Sequence, residues 1–261
     1  MNSPRHVKKW ATLGIAAAGV LLAWFSQRDA GKSLPDVIEH SVSEGRAEKP
    51  ERTAATFDFY LMALTLHPAF CADGNARRQE CRSAGVRSLV IHGLWPERMQ
   101  PRTYPRDCPA PPLDLEPALA LELADLMPGM ADGLHQHEWR THGGCSGLDD
   151  DDYYRRTLEL ARGVDAALGA KLTTLAGRET TAAELREVAD LFNPGLGRTL
   201  TFHCRALRDG GSRRPYLLEV RQCVDNDGPG GAPRTALACA IVKRRDQGCG
   251  TSFMIAGEEM R

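Results

Sequence analysis

Two short segments hold the residues best suited to moving protons near neutral pH. They are Ile91-His92-Gly93-Leu94-Trp95-Pro96-Glu97 and His137-Glu138-Trp139-Arg140-Thr141-His142-Gly143-Gly144-Cys145, and between them they carry three of the eight histidines. Two imidazoles beside a carboxylate can act as acid and base without a metal. Phosphodiester transesterification needs such a pair. One ring takes the proton of a ribose 2′-hydroxyl and the other protonates the departing 5′-oxygen. The nucleophile then belongs to the substrate, so no protein serine or cysteine has to attack, and DNA, which lacks that hydroxyl, should not be cleaved. An indole beside these groups offers a flat surface for a base.

Spacing refines this reading. On an α-helix advancing roughly 100° per residue, Glu138 and His142 share a face, so the carboxylate is expected to orient His142 and favour its charged form. His137 falls roughly 140° away from His142 and flanks the site. A zinc motif of the His-Glu-x-x-His type places two histidines four apart. Here they are five apart and Glu138 takes the aligned position, which disfavours zinc; no metal or cofactor is expected. His92 is read as ending a strand at a sheet rim. A lone histidine there is more often structural, and it is the second segment that makes it a candidate.

The positioning elements follow from apolar periodicity and turn residues. Strands are expected over Phe57–Leu66, Val86–Ile91, Thr199–Cys204, Tyr216–Val224 and Ala236–Val242, with a turn at Asp227–Pro233. The prolines around residues 97–113 imply an extended loop. Helices are expected over Leu115–Met127 with Asp114 as N-cap, over Leu134–Thr141 stopped by Gly143-Gly144, over Asp152–Leu168, and over Thr181–Phe192 with Thr181 and Glu184 in capping-box spacing. Strands, then helices, then strands argue for an α+β fold: a central antiparallel sheet flanked by several helices, in one domain.

The chain of 261 residues is 42% hydrophobic, enough for a sizeable core, and its formal net charge of −1 excludes a global basic field for polyanions. Protonating the histidines makes it cationic below about pH 6.5, strengthening binding to an acidic polymer. The eight cysteines, all from Cys71 onward and none in a Cys-x-x-Cys pair, fit disulfides in an oxidising compartment. Arg5, Lys8 and Lys9 precede an apolar run from Trp10 to Phe25. Residues 1–26 are therefore read as an export signal or a retained membrane anchor, 27–55 as a linker, and 56–261 as the folded domain, periplasmic or secreted and monomeric.

The two segments resemble the active-site segments of the ribonuclease T2 family, written His-Gly-Leu-Trp-Pro and His-Glu-Trp-x-Lys-His-Gly-Thr-Cys. Similarity extends over most of residues 57–253, from Phe57-Asp58-Phe59-Tyr60 to Gln222-Cys223-Val224-Asp225 and Gly248-Cys249-Gly250. The resemblance implies an α+β endoribonuclease that works through a 2′,3′-cyclic phosphate without a metal. It implies His142 as base, His92 as acid, Glu138 assisting His142 and stabilising the phosphorane, His137 holding phosphate, and Trp95 bordering a base. It also implies the disulfides Cys71–Cys81, Cys108–Cys145, Cys204–Cys249 and Cys223–Cys239.

One departure matters. The family has lysine where this chain has Thr141, and threonine brings no cation to the substrate phosphate; Gly144 also replaces the usual threonine. An RNA-binding or effector protein with weakened catalysis is therefore the competing reading, followed by a disulfide-rich binding module whose histidines are structural.

Overall fold

A sheet of six strands sits against helices that follow one another through the middle of the chain. The structure, a computed structural model, describes residues 55–82, 88–100, 103–226 and 237–260. The expectations for residues 1–26 and for 27–54 lie outside these. No helix among the described residues is long and apolar enough to cross a membrane. In chain order the strands are β1 (Phe59–Leu66), β2 (Leu89–Glu97), β3 (Glu179–Thr180), β4 (Leu200–Asp209), β5 (Ser212–Val224) and β6 (Phe253–Met254). The helices are α1 (His67–Phe70), α2 (Gln79–Arg82), α3 (Pro117–Leu126), α4 (Leu134–Glu138), α5 (Gly144–Ser146), α6 (Asp150–Thr174) and α7 (Ala182–Phe192).

The sheet runs β2-β1-β5-β6-β3, with β4 also paired to β5. Pairing is antiparallel except for a short parallel contact between β5 and β6 at Tyr216 and Met254. β1 is buried along its whole length, which suits its central place and its apolar run. α6 packs on the sheet through Tyr153, Tyr154, Leu158, Ala161, Val164, Leu168 and Leu172, a stripe at helical spacing. Asp149 caps it by accepting the Asp152 N–H at 2.8 Å, and Asp150 to Asp152 complement the helix dipole. Thr181 caps α7 as the sequence implies, accepting the Glu184 N–H at 3.1 Å.

Several expectations are corrected. β2 runs on through Glu97, past a glycine and a proline. It lies at the sheet edge, where Pro96 need not donate to a second neighbour. Asp114 does not cap α3; its N–H donates to Asp150 instead, and the helix begins at Pro117. The expected strand over Ala236–Val242 is a turn across its described part. There Cys239 and Val242 pack with Phe59, Leu61 and Cys223 in a small second cluster, so alternating apolar residues serve a disulfide-centred knot rather than a ladder. The turn expected at Asp227–Pro233 lies outside the described residues.

Four disulfides join Cys71–Cys81, Cys108–Cys145, Cys204–Cys249 and Cys223–Cys239. This is the pairing implied by the resemblance.

Candidate active site

β2 brings the first segment along the sheet edge with one irregularity. Ala63 faces Gly93 and Leu64 faces Ile91, so His92 is an extra residue without a cross-strand partner. Strict alternation would send His92 and Gly93 to opposite faces. The bulge re-aims the ring. His92 Nδ1 lies 2.7 Å from Glu219 Oε1, and its Nε2 lies 3.9 Å from Glu138 Oε1. His92 thus sits inside a strand, at a bulge, and not at a strand end as the sequence suggested.

Glu138 ends α4 and is only 1% exposed. Its Oε2 accepts the Trp95 indole N–H at 2.8 Å. A Cβ built on Gly93 would fall 2.0 Å from Glu138 Oε2 and 2.6 Å from Trp95 Nε1, so this bond can cross the strand only above a glycine. The first segment therefore reads structurally: a bulged histidine, a glycine that admits the carboxylate, and a tryptophan that anchors it.

After Glu138 the helix widens into a π turn over Trp139–Gly143 and then continues as α5. A π turn brings residues five apart over one another, which is the spacing of His137 and His142. The expected pairing of Glu138 with His142 is consequently not made: Glu138 turns to Trp95 and His92, and among the described residues no ion pair joins it to His142. Gly143 and Gly144 do not stop the helix. They admit close neighbours, the Trp139 ring at 2.4 Å from a Gly143 Cβ and the Cys108 carbonyl oxygen at 2.6 Å from a Gly144 Cβ.

The proline-rich loop is pinned here. Cys108 is bonded to Cys145, and the Asp107 N–H donates to the Thr141 carbonyl at 2.9 Å. Thr141 itself is 5% exposed. Arg140 is exposed and donates to Gln136 O at 3.3 Å, pointing away as its helical position implies. Trp139 is core, its N–H donating to Pro111 O at 2.9 Å.

Trp95 packs against both imidazoles. Its ring centroid is 5.0 Å from that of His92, edge-on, and 5.6 Å from that of His142, tilted. The Arg221 guanidinium stands 5.7 Å over the same indole, and Tyr104 flanks His142 at 6.2 Å. His137 is exposed at the cleft mouth. A cleft of about 430 Å³ opens beside His92, lined among others by Phe70, Val90, Leu134, His137 and Glu219.

The electrostatics separate the rings. Burial works against a charge on His92, but the Glu219 hydrogen bond and the nearby Glu219 and Glu138 charges outweigh it and raise its pKa. His142 is pulled down to about 4, first by desolvation and then by the charges of His137, His92 and Arg106. Its Nδ1 is buried with no hydrogen-bond partner. Burial pushes the Glu138 carboxyl up, against the pull of His92 and the Trp95 N–H. Burial would also raise Glu219, yet hydrogen bonds from His203 and His92 hold it far below the usual carboxylate range. Among the described residues, His67, Cys71 and Cys81 come nearest to a metal-ligand cluster, but both sulfurs are spent in a disulfide.

Sequence reasoning missed Glu219, Arg221, His203 and Tyr104. A signal existed for the first two: charges in the middle of the apolar run Leu217-Leu218-Glu219-Val220-Arg221.

The model of the ribonuclease T2 family matches residues 57–230. The chain belongs to the ribonuclease T2 family. It is 42% identical over 204 residues to a ribonuclease of Aeromonas hydrophila, covering 76% of this chain and 84% of that one. It is 25% identical over 236 residues to ribonuclease I of Escherichia coli strain K12, covering 76% and 86%. In fold it matches ribonuclease MC1 from the seeds of bitter gourd, with a TM-score of 0.60 at 24% identity over 76% of this chain and 100% of that one. This T2-family chain is an endoribonuclease, and the α+β sheet is the family's fold.

Proposed function

We propose that the enzyme cleaves single-stranded RNA by transesterification through a 2′,3′-cyclic phosphate, with His142 as base and His92 as acid. The observation that carries this reading is the opposite tuning of two imidazoles that both pack against one indole. His142 is neutral at working pH, so it accepts the 2′-hydroxyl proton. The 2′-oxygen attacks phosphorus and the bond to the 5′-oxygen breaks. His92, kept charged by two carboxylates, hands its Nε2 proton to that oxygen. Nδ1 is engaged by Glu219, which leaves Nε2 as the ring's donor toward the cleft.

Glu138 serves this pair from the His92 side. It fixes Trp95 through the indole N–H and faces the acid His92 on the side where the phosphorane forms. His137 contacts phosphate at the cleft mouth, and Trp95 borders a base. Phe70 and Leu134 offer apolar faces to a second base in the adjoining cleft. Thr141, buried on the π turn, contributes shape and a carbonyl anchor for the Tyr104 loop in place of a cation. This favours a second reading, of an RNA-binding or effector protein with slowed cleavage. The four disulfides support export to an oxidising compartment, periplasmic or secreted.

The test is mass analysis of products from a defined oligoribonucleotide incubated in EDTA. A cyclic-phosphate end is expected, with the matching DNA oligonucleotide intact; a direct 5′-phosphate product overturns the route. A Thr141→Lys variant that cleaves much faster while binding RNA equally would favour the second reading.

A further inference from the structure

Glu219 lies on the central strand β5, 6% exposed, in a row of directly opposed residues. Thr65 faces it from β1 and His203 from β4. The next row on that face runs Gly93, Ala63, Arg221, Thr201. Between β2 and β5 this face therefore carries only small side chains, glycine and alanine, in the row beside His92. Nothing bulky separates the bulged His92 from a carboxylate two strands away. The bulge and this low saddle together let the ring reach Glu219.

The two oxygens of Glu219 are divided. Oε2 accepts Arg221 Nε at 2.7 Å and lies 3.5 Å from His203 Nδ1. Arg221 also reaches His203 Nδ1 at 3.0 Å. Oε1 is left for His92 Nδ1 at 2.7 Å. A carboxylate buried only to satisfy Arg221 would not need its second oxygen aimed at the cleft histidine.

We propose that Glu219 is the positioning residue for the acid His92: it fixes the Nδ1-protonated ring with Nε2 toward the departing 5′-oxygen, and Arg221 and His203 hold Glu219 ionised for that purpose. The proposal rests on the reading of His92 as the acid. The groups facing His92 are Glu219 and Arg221 from β5, Glu138 from α4, Glu80 from α2 and His142 from the π turn, with His203 from β4 facing Glu219. Of these, Glu219 alone among the carboxylates lies within hydrogen-bond distance. The direction of the His92 shift agrees.

The experiment compares two substrates. One is a natural dinucleotide linkage. The other is a ribonucleoside 3′-(4-nitrophenyl phosphate), whose leaving group departs without a proton. Glu219→Gln, close to isosteric, is expected to lower kcat/KM on the natural linkage by about 10²-fold. It should also move the basic limb of the pH profile down by about one pH unit, because the ring loses its anionic partner. On the nitrophenyl ester the loss should stay within about threefold, since no acid is required. Glu219→Asp should recover part of the natural activity. Equal losses on both substrates with an unmoved basic limb would make Glu219 a fold residue only and overturn the proposal. If Glu219→Gln does not fold, the wild-type protein still decides. Its imidazole ¹⁵N spectrum must show His92 Nδ1 protonated on both sides of the titration, and a neutral ring protonated at Nε2 instead overturns the proposal. Failure of the underlying reading looks different: His92→Ala would lose equally on both substrates.

Discussion

His92 and His142 are the same chemical group placed in opposite surroundings. His92 rides a bulged edge strand between two carboxylates, one in contact and one at 3.9 Å. His142 rides a π turn, half-buried, with an unpartnered Nδ1 and cationic neighbours. The first surroundings favour the imidazolium and the second the neutral ring. The sheet supplies charge compensation and the helix supplies desolvation. On the proposed mechanism, acid and base are thus set by architecture before any substrate arrives.

The sharpest way to break this contrast is to remove either ring. His92→Phe and His142→Phe should each cost about 10²- to 10⁴-fold in kcat/KM on RNA. In the intact enzyme the bell should have its acidic limb near 4, where His142 takes its proton. Its basic limb should lie above the ordinary histidine value, where His92 loses its own. A profile with both limbs at the ordinary value would dissolve the comparison.

Gly93→Ala strikes the carboxylate side alone. The added methyl must displace Glu138 and its bond to Trp95, so a loss of about 10²-fold in kcat is expected. Substrate Kd, measured with a 2′-deoxy analogue, should change by less than about tenfold. Replacing Cys108 and Cys145 together by serine strikes the other side. It should lower unfolding free energy by about 2–5 kcal/mol in denaturant titration, with a severalfold loss of activity as the Tyr104 loop detaches from the π turn.

The smallest effect concerns stability. The folded-state pKa of His142 lies below its unfolded value, so between pH 6.5 and about 4 the unfolded chain binds a proton that the native state refuses. Acid therefore destabilises the protein through this ring. His92 has the opposite sign: its stabilisation is complete below its unfolded value and fades as pH rises through the raised folded one. His142→Phe should accordingly lose less stability than the parent on acidification from pH 7 to 5, read as the change in Tm over that interval.

Much of this was legible from residue types alone. The two segments name both rings, Glu138 and Trp95. The order of strands and helices gives the α+β class, and Thr181 marks a helix start through its own side chain. What stayed hidden depends on neighbours. Gly93 and Pro96 argue locally against a strand, and only an edge position makes them acceptable there. The π turn has no residue signature, so extrapolating an ordinary helix paired Glu138 with the wrong histidine. Glu219 is 127 residues from His92, and only the folded sheet brings it under that ring.

The unpaired residue in β2 also sets a limit on how this gene segment can change. Deleting one amino acid between Leu89 and His92 would let the edge strand zip into an unbroken ladder with β1. That product would be the better-bonded protein and the poorer catalyst. Deletion scanning of the strand should therefore yield folded but inactive chains.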